Sequence, residues 1–261
     1  MLLFEYPAWL FVVACVVLLL SHEIGVRLRA RNHEKVGPDW EKQIEETRNQ
    51  IAVLLSLLLG FTLSMALTRY DYRKQLVVDE ANAIGTTYLR SVMQPEPTRT
   101  QAGALLRDYV DTRIAMFGSG ATAAQREAYA RHSKQIQDQL WVGAVAVSQQ
   151  TPTPIASIYV QALNEMIDMD GKRVAATANR IPSNIWFLLG ILSIMTTIVV
   201  GYGQRRRAAL TTFVPVLTIA IALSLIADLD TPTHGLIRVD QRSLQSLSVD
   251  LKAGTPAAGH D

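Results

Sequence analysis

One cysteine stands in the whole sequence, Cys15, so no disulfide can close within the chain. Histidine is sparse as well. His22, His33, His132, His234 and His260 are scattered without the i, i+4 pairing or the cysteine companions that a zinc site requires. No metal and no cofactor is expected. There is no G-x-S-x-G and no Walker A loop, and "GYG" at 201–203 closes an apolar run instead of following a strand. With no catalytic constellation left standing, an enzyme is not expected. Charge is nearly balanced at +2, and no basic run is interleaved with aromatics, so nucleic acid is not an expected partner.

The most informative scarcity is local. Four stretches, roughly 6–22, 49–68, 181–204 and 208–227, hold no Asp, Glu, Lys or Arg. Each is close to the ~20 residues that a helix rising about 1.5 Å per residue needs to cross a hydrocarbon core of about 30 Å. The lipid bilayer is therefore an expected partner. The first run begins with Glu5 and no Lys or Arg, and no small-residue cleavage pattern follows "LLLSHEIGVRLR", so it reads as a retained span and not as a signal peptide.

The fold class that follows is an all-α integral membrane protein, with four transmembrane helices and a helical bundle inserted between spans two and three. Its divisions fall at 1–68 for spans one and two, 69–184 for the extramembrane bundle, 185–229 for spans three and four, and 230–261 for a polar C-terminal tail. The block 69–184 is punctuated at "QPEP" (94–97), "GSG" (118–120), "TPTP" (151–154) and Pro182, and the stretches between read as four helices. Val77, Ala81, Ile84 and Tyr88 share one helical face, as do Leu106, Val110, Ile114 and Phe117, and these faces are expected to form the bundle core. No breaker separates span two from the first of these helices, which predicts one continuous rod. The apolar stretch from Trp141 to Val147 is too short to span; it reads as core or as a surface for a partner subunit.

Sidedness stays open. Residues 27–50 hold Arg27, Arg29, Arg31, Lys35, Lys42 and Arg48, and "RRR" occupies 205–207, which would make the two short loops cytoplasmic and place the large block outside. The opposite side also carries Arg69, Arg73, Lys74, Lys172, Arg173, Arg180, Arg238 and Arg242 near the spans. The expected location is the cell inner membrane, crossed several times.

Span two carries the most pattern. Ser56, Gly60, Ser64 and Thr68 recur every fourth position, the small-xxx-small form that lets helix backbones approach closely, and Ser193, Thr197 and Gly201 echo it in span three. Both stripes read as packing seams. On an adjacent face of span two lie Val53, Leu57 and Phe61. In a ring of subunits that row would face the axis and form a constriction that gates by dewetting; facing lipid is the alternative. The run then ends in Arg69, Asp71 and Arg73, which read either as an interfacial anchor or as a charged ring at a pore mouth where anions pass. Asn164, Glu165 and Asp168 in "NEMIDMD" read as a solvated helix face paired locally with Lys172 and Arg173, and Asp228 and Asp230 as capping where span four ends.

These residues resemble the bestrophin channels, and more closely the bacterial bestrophin-like domain family. "LGF" at 59–61 and "TR" at 68–69 before Tyr70 are similar to the bestrophin second span. "SMALTRYDYRKQLVVDEANAIGTTYLR", "ALNEMID" and "DLDTPTHGLIRV" carry the likeness to the bestrophin-like family from residue 64 to 239. The resemblance implies a ring-shaped pentamer with four spans per subunit, a cytoplasmic helical block between spans two and three, and a neck of three hydrophobic residues spaced by four. Carried over, the neck is Val53, Leu57 and Phe61, and the function implied is an anion (chloride) channel. A non-conducting sensor or scaffold, whose bundle binds a partner, is the competing expectation.

Overall fold

The computed structural model describes residues 7–31, 37–118, 120–204, 209–231 and 235–254. The "RRR" turn, His33, His234 and His260 lie outside the described residues. Among the described residues the chain forms eight helices: α1 (Pro7–Arg31), α2 (Pro38–Val92), α3 (Thr98–Phe117), α4 (Ala123–Gln150), α5 (Pro154–Ala178), α6 (Ser183–Tyr202), α7 (Ala209–Asp230) and α8 (Arg242–Ala253).

Local chemistry sets several of these ends. At the start of α4, Thr122 Oγ1 accepts from the Gln125 amide at 3.2 Å while Gln125 Oε1 accepts from the Thr122 amide at 2.9 Å, a reciprocal cap of two otherwise orphaned donors. Thr153 Oγ1 accepts from the Ala156 amide at 3.2 Å, and Pro154 at the first helical position of α5 lacks only an N–H that the helix could not have used. Gly254, at φ 70°, ends α8 in the left-handed conformation that glycine adopts without steric cost. The expected rod is realised as α2, whose 55 residues run unbroken for about 82 Å at 1.5 Å per residue.

Four helical stretches are long and apolar enough to cross a membrane. They contain α1, α2, α6 and α7. The third of them takes in α5 as well, but its apolar window belongs to α6, because α5 carries Glu165, Asp168, Asp170, Lys172 and Arg173.

The chain divides into two compact units, to both of which α2 contributes. The first takes the chain through Tyr70 together with Arg180–Arg238. Lipid tails are as apolar as leucine, so its helices gain little from hiding apolar surface and depend on close backbone approach. That approach occurs where α1 meets α6. A Cβ at Gly25 would overlap the Ile198 carbonyl, and one at Gly201 would overlap the His22 carbonyl, so the two backbones touch at glycines. Ser193 and Thr197, also buried, satisfy their hydroxyls on the Leu189 and Ser193 carbonyls of their own helix. The stripe read in span three is a packing seam. Beside it, Leu18, Leu55, Leu189, Leu192, Val216, Ile219 and Leu223 form one apolar cluster, and Ala66, Ile181, Ile226 and Leu229 form another. Arg29 closes the end of α1 by donating to the Tyr202 carbonyl at 3.0 Å and to Glu41 at 2.9 Å.

The second unit takes Asp71–Asn179 and the chain from Val239. Its core holds Val77, Ala81, Ile84 and Tyr88 from α2 with Leu106, Tyr109 and Val110 from α3, and Ile114 packs against them. Leu140, Ala144 and Val147 of α4 point into this core, whereas Trp141, Val142 and Val145 stay exposed. Each fully buried Leu or Ile contributes about 1.5–3 kcal/mol relative to exposure. The core also contains Leu244, Leu247 and Leu251 of α8. The segment read as a polar tail is therefore in part a core helix, because its leucines recur at i, i+3 and i+7 within twelve mostly polar residues.

Candidate pore helix and its charged end

In its first unit α2 buries Leu55, Thr62 and Ala66, half-buries Leu58, Leu59, Leu63 and Met65 against the two apolar clusters, and leaves another face exposed. Val53, Leu57 and Phe61 are apolar yet 68%, 53% and 66% exposed. Ser56, Gly60, Ser64 and Thr68 are exposed beside them, and a Cβ built on Gly60 would meet nothing within 4 Å. Ser56 and Thr68 direct their hydroxyls to the Ala52 and Ser64 carbonyls of their own helix, at 2.8 and 2.9 Å. Unlike its counterpart in α6, the stripe of α2 is exposed among the described residues.

The three charges that end the apolar run have separate surroundings. Arg69 forms an ion pair with Asp230 at 3.7 Å. Asp71 is exposed. Arg73 is 5% exposed and donates to the carbonyls of Ala176 at 3.2 Å and Asn179 at 3.3 Å, closing the C-terminus of α5 where the helix dipole favours a cation. Its guanidinium is taken up by backbone carbonyls.

Asp228 and Asp230 are more than surface caps. Both are buried, at 5% and 6% exposure. Asp228 accepts from the amides of Leu236 at 2.6 Å and Ile237 at 2.9 Å, and Gly235 leaves room for the carboxylate where a Cβ would crowd it. The Asp230 carboxylate accepts from the Ile181 amide at 3.0 and 3.2 Å through its two oxygens. One side chain thus joins α2, the end of α7 and the segment entering α6.

The second unit encloses a charge cluster that no spacing in the sequence announced. Glu80 is fully buried, and its carboxylate accepts from Arg113 Nε at 2.6 Å and from Arg173. Arg113 also pairs with Asp170, which accepts from Gln137 at 2.8 Å, and Gln137 donates to the Tyr109 hydroxyl at 3.1 Å. Both guanidiniums lie over the Phe117 ring, Arg173 at 3.9 Å and Arg113 at 5.1 Å from its centre. Burial lowers the proton affinity of both arginines. For Arg113 the charges of Glu80, Tyr109 and Asp170 outweigh it and the balance is upward, whereas for Arg173 burial prevails over Glu80 and the balance is downward. Arg173 has one carboxylate and the neutral Gln241 where Arg113 has two carboxylates. Burial also raises the Tyr109 phenol, and pushes that of Tyr159 up to about 12.

Asn164, Glu165 and Asp168 lie on the exposed face of α5, with Asn164 donating to Asp168 at 3.4 Å and Gln161 to Glu165 at 3.2 Å. Arg173 does not join them, as the surface reading had it, but turns into the core. His22 is buried in α1, and His132 sits on the surface 2.9 Å from Asp108.

Four helical stretches of membrane-crossing length, the second carrying this charge pattern just past its apolar run, define a multi-pass helical membrane protein. The family model described as "Bestrophin-like domain" matches residues 8–244, and the chain belongs to that family. Its fold is similar to two crystal structures of a bacterial bestrophin homologue from Klebsiella pneumoniae, each carrying one substitution. The first has a TM-score of 0.68 at 13% identity, covering 93% of this chain and 96% of that one. The second has a TM-score of 0.67 at 13% identity, covering 93% and 98%. No curated protein matches the chain.

Proposed function

We propose that this chain is the subunit of an oligomeric bestrophin-like channel of the cell inner membrane that conducts anions, chloride among them. Copies of α2 surround a central path, as a pentamer by family resemblance. Val53, Leu57 and Phe61 form its hydrophobic neck, and Ser56, Gly60, Ser64 and Thr68 pack against the neighbouring subunit. The observation that carries the reading is the uncovered face of α2: an apolar row and a small-residue row lie side by side, and both are exposed among the described residues. A dry ring of such side chains would impede ions until it widened or wetted.

Bilayer recording of the purified protein in a potassium chloride gradient tests this. Leu57→Ala and Phe61→Ala are expected to enlarge a selective current. A folded, oligomeric sample that stays silent in all three forms would move the reading to the non-conducting sensor or scaffold, for which the unbroken course of α2 is the favouring feature.

A further inference from the structure

We infer that Asp230 is a positioning residue that sets how much of the Arg69 charge the permeation path feels. The inference rests on the pore reading above and adds a determinant of ion preference to it.

Arg69 occupies a flank of α2. At about 100° per residue it lies about 80° round the helix from Phe61, on the uncovered face, and about 60° from Ala66, on the buried one. It is also about 12 Å along the axis from Phe61. From that position a long, flexible guanidinium stem has two destinations. It can swing toward the uncovered face, or it can turn back toward the helices that pack on α2.

Asp230 decides between them. Its carboxylate is 6% exposed and fixed by the Ile181 amide, and it stands 3.7 Å from Arg69, whose side chain is 20% exposed. The acid is anchored on backbone and the base is partly in water, so the base moves to the acid. A paired arginine presents a dipole to a passing ion. An unpaired one presents a whole charge, repeated by every subunit around the ring, and such rings raise the local concentration of the opposite ion. Arg73 cannot take over that role, since its guanidinium is engaged by the carbonyls of Ala176 and Asn179. Of the three charges that end the apolar run, Asp71 is the one left exposed.

The test is the reversal potential of the full-length protein in planar bilayers under a potassium chloride gradient. Asp230→Asn keeps an acceptor oxygen for Ile181 and removes the charge, so the chloride-to-potassium permeability ratio is expected to rise about twofold or more. Arg69→Gln leaves the acid unopposed and is expected to move the ratio the other way. The double variant should return close to wild type. Opposite shifts that cancel are not produced by general loosening of the helix packing. A conducting wild type whose ratio is unmoved by either change, or moved in one direction by both, overturns this inference alone. A silent wild type overturns it together with the pore reading. If Asp230→Asn does not assemble, Arg69→Gln alone carries the test, and an unchanged ratio in it is the overturning result.

Discussion

Glu80 shows what a buried charge demands at the scale of one residue. It lies at 0% exposure with Arg113 and Arg173 at the two oxygens of its carboxylate. Removing one member of such a group leaves the others charged and without water, which costs about 3–5 kcal/mol. Glu80→Ala is therefore expected to lower the thermal unfolding temperature of the detergent-solubilised protein sharply, and Glu80→Gln to lower it less because an acceptor oxygen remains. An unfolding midpoint within error of wild type for both would show that the cluster contributes nothing net. The cluster was not legible in the sequence. Arg113 and Arg173 stand 33 and 93 positions from Glu80, and charge at helical spacing looks the same whether it faces water or a core. The partners of Arg73 were hidden for a related reason: they are backbone carbonyls, and only the placement of the α5 C-terminus reveals them.

Among the elements, α8 is held by a surface device that pH can reach. Its leucines enter the core, while on the outside Asp111 of α3 accepts from Ser248 at 2.7 Å and pairs with Lys252 at 2.8 Å. Burial would raise the Asp111 carboxyl, but Lys252 and Ser248 outweigh it and hold it below its ordinary value. A carboxyl depressed in the folded state stabilises above its unfolded value of about 3.9, and that contribution is lost as pH falls through the lower folded value. Both side chains are about half exposed, so solvent screening keeps the effect below ~1 kcal/mol. Hydrogen-exchange protection of residues 244–252 is expected to be flat from neutral pH down to about 4 and to weaken beneath it, with Asp111→Asn removing the dependence. A dependence that persists in Asp111→Asn would assign it to another group. Span-scale elements were the easiest to read, because a charge-free run of membrane length seldom folds as anything but a crossing helix. The leucine periodicity of α8 was equally visible, but twelve residues in a polar stretch gave no sign of a core waiting for them. Likewise Gly201 was legible as half of a seam, whereas its counterpart Gly25 stands in α1 without a matching stripe of small residues.

At the scale of the whole molecule, one face of α2 is left uncovered by the described residues. A Cβ at Gly60 meets nothing within 4 Å among the described residues, so Gly60→Trp should leave the subunit folded and membrane-inserted. In an assembly that packs through the small-residue stripe, the same indole has no room. Light scattering on the purified variant is expected to find the smaller species with unchanged helical content; an oligomer of wild-type mass would show that lipid, and not a neighbouring copy, covers that stripe.

The make-up of the second unit also has a consequence for biosynthesis. Its core is built from Asp71–Asn179 and from leucines beyond Val239, and the chain between them carries α6 and α7. A ribosome delivers these parts in order, so the bundle emerges early but lacks its last helix until two more membrane crossings have been made. Completion of the second unit therefore follows translation of α6 and α7, and a nascent chain stalled before α8 would hold an unfinished apolar surface for cellular quality control to find.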